Sequence, residues 1–308
     1  MTKIATRDAY GKALVEVGAK NPNVIVLDAD LSKSTKTVDF AKVYPERFLD
    51  MGIAEANMIG TAAGLATTGK IPFASTFALF GTLRVGDQIR NSVCYPNLNV
   101  KIAVTHSGLT LGEDGASHQA VEDIALMRAI PNMTVIVPAD AEETRQVIHA
   151  AVDYDGPMYI RLGRPAVPVV FDENYKFEIG KGAVVKEGSD VAIIAMGVML
   201  SPAMEAADEL AKEGISARVI NMSSIKPIDE EIIIKAAKET KGIVTAEEHN
   251  ILGGLGSAVA EVVSEHAPTV VKRVGVEDTF GESGKPDELL VKYGLTKEHI
   301  IQKAKQIL

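Results

Sequence analysis

Short runs rich in valine and isoleucine recur along the chain, separated by longer segments of helical period, and this alternation restricts the fold more than any other feature. A strand that is apolar throughout must be covered on both faces, and parallel strands need a crossover connection, usually a helix. The pattern predicts an α/β architecture of doubly wound domains with mostly parallel sheets. Strands are expected at 24–29, 72–76, 100–105, 134–138 and 158–162, and again at 191–197, 217–222, 242–248 and 271–277. Segment 54–67 is small and apolar all round and reads as a buried helix, 141–154 opens with acids that suit a helix amino terminus, and 202–214 is amphipathic.

At 308 residues the chain exceeds one ordinary core, so two domains are expected. The stretch from 164 to 188 mixes prolines, glycines and charges without a sustained period. The expected division is a first domain over 1–170, a linker over 171–187 and a second domain over 188–308.

Charge and cysteine usage narrow the function classes. A net charge of −9 argues against nucleic acid, whose phosphates need a basic face. Cys94 is the one cysteine, which removes an intramolecular disulfide and a cysteine-rich metal site. The amino-terminal segment lacks the apolar core of a signal peptide and no apolar stretch approaches a membrane span, so a cytoplasmic location is expected.

The densest polar cluster is the segment 105–123, THSGLTLGEDGASHQAVED. It follows a predicted strand and opens a predicted helix, which puts it at the carboxyl edge of a parallel sheet, where α/β proteins bind ligands. His106, His118, Glu113 and Asp114 supply titratable groups, and the glycines allow close backbone approach. Glu55 starts an otherwise apolar helix. It either complements the helix dipole or, if buried, is kept protonated by desolvation and donates a hydrogen bond. Phe77 and Phe80, three residues apart after a strand, are ordinary core or a flat face for a heteroaromatic ring. Gly254 and Gly256 imitate a dinucleotide loop with Glu277 beyond the next strand, but Val259 breaks the fingerprint, and a tight turn at a contact is the preferred reading.

Taken in order, ATR near the start, DADLSKS, GIAEANM, STFALF, THSGLTLGEDGASHQ and RLGRP resemble the carboxyl-terminal two-thirds of a transketolase. The resemblance covers essentially the whole chain. It implies a domain that binds the pyrimidine of thiamine diphosphate, followed by a transketolase C-terminal domain. On that resemblance Glu55 bonds the pyrimidine nitrogen and drives its imino tautomer, Phe80 stacks on the ring with Phe77 beside it, and Asp30 lies near the cofactor. Leu83 stands where many transketolases have a tyrosine. Arg7, Ser34 and Arg164 would hold the sugar phosphate, His106 and Asp114 the sugar hydroxyls, and His118 the carbonyl oxygen as an acid/base partner.

The glycine-aspartate-glycine motif that holds the diphosphate through Mg2+, with its following asparagine, is not found. The implied function is therefore one subunit of a split transketolase. A separate N-terminal subunit would supply the diphosphate and Mg2+ site, and self-association through this chain would give an α2β2 assembly. Alternatives are the beta subunit of a 2-oxoacid dehydrogenase, an enzyme similar to deoxyxylulose-phosphate synthase, and a non-catalytic interaction subunit.

Overall fold

The computed structural model describes residues 2–308. Its larger sheet has seven strands in the order Ser224–Lys226, Thr134–Ile136, Met158–Arg161, Lys101–Val104, Ile71–Ser75, Val24–Asp28 and Phe48–Asp50. All neighbours are parallel except the first pair. The second sheet has five strands, Val271–Val276, Ile243–Asn250, Val191–Ala195, Ala217–Asn221 and Ala183–Lys186, with only the last antiparallel. The α/β architecture with mostly parallel sheets follows from strands such as Ile71–Ser75 and Val191–Ala195, which are buried at every position.

Each of the nine expected strands is present, shorter by a residue or more in most cases. Those the sequence did not show are short. Lys3–Ala5 pairs antiparallel with Ala166–Pro168, Phe48–Asp50 closes one edge of the larger sheet, and Ala183–Lys186 forms a strand inside the segment read as linker. Ser224–Lys226 lies between two strands of the second sheet in sequence yet pairs with Thr134–Ile136 of the first. Three residues carry no readable period, so long-range pairing decides such strands.

The expectation of a buried helix at 54–67 is corrected. Helix Glu55–Ala66 buries one face through Met58, Ile59, Ala62 and Ala63, whereas a Cβ built on Gly60 or Gly64 meets no atom within 4 Å. The other expected helices appear as Ala141–Asp153 and Leu200–Lys212. Asp140 caps the former by accepting from the Glu143 N–H at 2.9 Å. One apolar cluster runs from Leu27 and Ile102 in the larger sheet to Ile194 and Ile220 in the smaller, so the two units share a core.

Candidate active site

Parallel strands end on the same edge, and that geometry gathers loops far apart in sequence. The segments following Val24–Asp28, Phe48–Asp50, Ile71–Ser75, Lys101–Val104 and Met158–Arg161 all emerge at this edge. The start of helix Thr6–Lys20 is drawn there as well, since the Thr6 hydroxyl accepts from the Gly163 N–H at 2.8 Å.

Two small clusters result. In one, Glu55 is 4 % exposed at the first position of its helix, and its Oε1 accepts from Arg84 Nη1 at 2.8 Å. The Arg84 guanidinium lies 4.2 Å over the Phe80 ring, while His118 meets that ring edge-on at 5.1 Å. Leu83 is exposed beside this slot. The Ser117 hydroxyl is 3.0 Å from His118 Nδ1.

In the second cluster the Phe77 ring is stacked on His106 at 4.0 Å and stands 6.1 Å from Phe80. Phe77 is itself buried, so the face of that ring belongs to His106. Arg7 Nη1 reaches both the Ser34 carbonyl at 3.0 Å and His106 Nε2 at 3.2 Å. A guanidinium only donates, so Nε2 accepts and Nδ1 carries the proton, shared with the Thr105 hydroxyl at 2.8 Å. Burial, then Arg7 and Arg164, push the His106 pKa down to about 3, which keeps the ring neutral. His106 also holds a left-handed backbone, φ 58°, a strained conformation for a side chain of this size.

The remaining candidates lie on the rim. Arg164 donates to the Leu111 carbonyl at 2.5 Å and to Glu113 at 3.1 Å. Asp114 is exposed in the same loop and makes none of these contacts. Asp30 is exposed with φ 60°, and its N–H is held by Asp50 at 3.1 Å. Ser34 takes part through its backbone carbonyl, the atom Arg7 reaches.

Three contributors were missed by sequence reasoning. Arg84 lies four residues beyond Phe80, but nothing in the sequence pairs it with Glu55. Asp28 is buried and accepts from the Leu31 N–H and the hydroxyls of Thr35 and Thr37, which shapes the loop carrying Asp30 and Ser34. Its signal was the threonines of DADLSKSTKT. Glu248, from the second sheet, accepts from the Thr110 N–H at 2.6 Å and so fixes the histidine loop. Burial pushes this carboxyl up to about 7, with Arg161 opposing.

At the imitation dinucleotide loop a carboxylate fills the helix amino terminus. Glu247 accepts from the Leu255 and Gly256 N–H groups at 2.7 and 2.8 Å, and a Cβ on Gly254 would come within 2.0 Å of it. A phosphate has no room there.

Comparison with known proteins gives these features a family. The model of the transketolase pyrimidine-binding domain matches residues 2–169, and that of the transketolase C-terminal domain matches residues 180–300. The chain belongs to the transketolase family. A Methanocaldococcus jannaschii protein, provisionally named a transketolase C-terminal section, is 53% identical over 96% of this chain and 94% of its own length. The 6-deoxy-6-sulfo-D-fructose transketolase subunit SqwH of Clostridium sp. is 44% identical over 98% and 94%. A split-gene transketolase solved as an inactive β4 tetramer superposes with a TM-score of 0.92 at 58% identity, covering 100% of this chain and 99% of that one. Transketolases in general depend on thiamine diphosphate. In this chain no helix among the described residues is long and apolar enough to cross a membrane.

Proposed function

We propose that the chain is the pyrimidine-binding subunit of a thiamine-diphosphate-dependent transketolase that moves a two-carbon ketol unit from a ketose phosphate to an aldose phosphate. The observation that carries this reading is the slot between Glu55 and Phe80. It already holds a flat group with N–H donors, the Arg84 guanidinium, at 2.8 Å from the carboxylate and 4.2 Å over the ring. An aminopyrimidine is likewise flat and carries N–H donors on its edge, so the residues present fit the group. When bound, the cofactor supplies a thiazolium carbanion that accepts and passes on the ketol unit.

The chain's own residues bind and orient. Glu55 holds the pyrimidine edge, and Phe80 its face. Arg7 and Arg164 face the substrate's anionic end, with neutral His106 as a hydrogen-bonding wall between them. His118, edge-on to Phe80 at the slot's other side, exchanges a proton with the substrate's carbonyl oxygen in this reading. Asp114 would turn toward a sugar hydroxyl, and Asp30 toward the cofactor.

The diphosphate and Mg2+ belong on a separate N-terminal subunit. Ile53 is 79% exposed, and the small-residue face of helix Glu55–Ala66 is open beside the slot, which supports subunit contact there in an α2β2 assembly. The two split-type relatives, a named subunit and a β4 tetramer, favour the same reading.

One relative is named for a sulfosugar, and a guanidinium pair recognises sulfonate and phosphate alike. The acceptor and donor classes therefore include 6-sulfo sugars as well as phosphosugars. The test is co-purification from the native source, then ketol transfer assayed for the chain alone and with any smaller partner, using both donor classes and pyruvate. Activity with a phosphorylated or sulfonated ketose, only in the presence of the partner, is expected. Full transfer by this chain alone, or pyruvate decarboxylation in its place, would overturn the proposal.

A further inference from the structure

Arg84 is in an unusual position for a surface residue. It lies in the turn Leu83–Val85, and its side chain is 49% exposed, yet it reaches back to a carboxylate whose side chain is 5% exposed. Among the described residues, Glu55 is the hydrogen-bond partner of this guanidinium. Its flat face is spent on Phe80 at the same time. With a guanidinium at 2.8 Å from the carboxylate and 4.2 Å from the ring, no second planar group fits between them.

Glu55 gains from this arrangement. A buried carboxylate without a partner bears its full desolvation cost, and a cation on a flexible stem relieves it. Val85 next door is buried, while half of the Arg84 side chain is open to solvent. Such a contact is strong enough to order the slot and weak enough to yield.

We propose that Arg84 is a built-in occupant of the slot: it holds Glu55 and Phe80 in binding geometry while the slot waits, and the incoming aminopyrimidine displaces it. This rests on the reading of the slot as the pyrimidine site. The role is one of positioning and selection. Any guest must be flat and must pair with Glu55 and stack on Phe80 better than Arg84 itself does. The apparent affinity of a guest is its intrinsic affinity multiplied by the fraction of time that the slot stands open.

The test uses the full isolated chain and thiamine, which carries the pyrimidine without the diphosphate. Binding is followed by magnetic resonance with arginine labelled in its guanidinium nitrogens, and the Arg84 signal is assigned through Arg84→Lys. Free chain should show Arg84 protons shielded by the Phe80 ring, and thiamine should abolish that shielding. Arg84→Met should bind thiamine about tenfold more tightly. Added methylguanidinium should compete with thiamine in Arg84→Met and bring its affinity back toward the unmutated value. A residue that merely supports the fold gives no such competition. Equal or weaker thiamine binding by Arg84→Met overturns the proposal and leaves the pyrimidine reading standing. Absence of thiamine binding by both proteins at millimolar concentrations, with the Arg84 signal unmoved, overturns the pyrimidine reading and this inference with it.

Discussion

The Glu248 carboxylate, on a strand of the smaller sheet, accepts a hydrogen bond of 2.6 Å from the Thr110 N–H in the loop between His106 and His118. The C-terminal domain thus shapes the candidate site's edge of the other. Gly108 lets the carboxylate approach, since its φ is +72° and a Cβ there would come within 2.3 Å of the Glu248 carboxyl carbon.

Replacing Glu248 with alanine should therefore cost roughly 1–3 kcal/mol, because it leaves the Thr110 N–H buried and unpaired. Glutamine keeps an acceptor and should fold normally. It should also flatten the pH dependence of stability. A carboxyl raised from 4.5 to about 7 by burial contributes stability that is fully present below about 4.5 and lost as pH rises through about 7. Urea midpoints measured at pH 5 and pH 8 should differ less in Glu248→Gln than in the unmutated chain. Glu247, also pushed up to about 7, keeps part of the slope in the variant.

His106 should remain neutral throughout the physiological range. Its pKa of about 3 is set first by burial and then by Arg7 and Arg164. Imidazole resonances followed from pH 8 to pH 5 should show His106 without a titration step. Arg7→Ala removes a cation and the donor to Nε2, so the His106 pKa should rise, yet stay below that of an ordinary histidine because burial remains. An unmutated His106 titrating near 6.5 would refute the arrangement.

Arg7→Ala and Arg164→Ala should act on the anionic end of the substrate. Charge-assisted hydrogen bonds contribute roughly 1.5–3 kcal/mol each, so the KM for a ketose phosphate should rise about ten- to a hundredfold in the assembled enzyme. A small uncharged donor such as hydroxyacetaldehyde should react almost as before. An equal loss for both donors would make these arginines structural.

Asp123 and Arg161 form an ion pair at 2.7 Å with both side chains almost wholly buried. Arg161 also donates to the Ala120 and Glu248 carbonyls, and Asp123 accepts from the Tyr159 hydroxyl. Removing one partner strands a buried charge and should cost about 3–5 kcal/mol. Arg161→Met should therefore lose far more stability than Arg161→Met combined with Asp123→Asn, measured by urea unfolding. Equal losses would show that the two charges are uncoupled.

The long strands and amphipathic helices were legible because burial imposes a period on residues that are neighbours in sequence. Val191–Ala195 shows a wholly apolar run, and Ala141–Asp153 shows acids at its start with a buried stripe below. The order of the motifs was legible too, and it pointed to the loop holding His106 and His118. Helix Glu55–Ala66 was misread as buried because its small residues look apolar, whereas the structure leaves Gly60 and Gly64 open.

Pairings over long separations were beyond such reading. Glu55 and Arg84 lie 29 positions apart, Thr110 and Glu248 lie 138 apart, and neither pair has a local signature. Thr110 in addition contributes only its backbone N–H, which every residue but proline possesses. Local order thus sufficed for fold class, motif order and the sheet edge at which the candidate loops gather. Which charges meet at that edge was decided by the folded chain alone, because a buried carboxylate takes its partner from whatever the converging loops bring within reach, and sequence distance does not enter that energy.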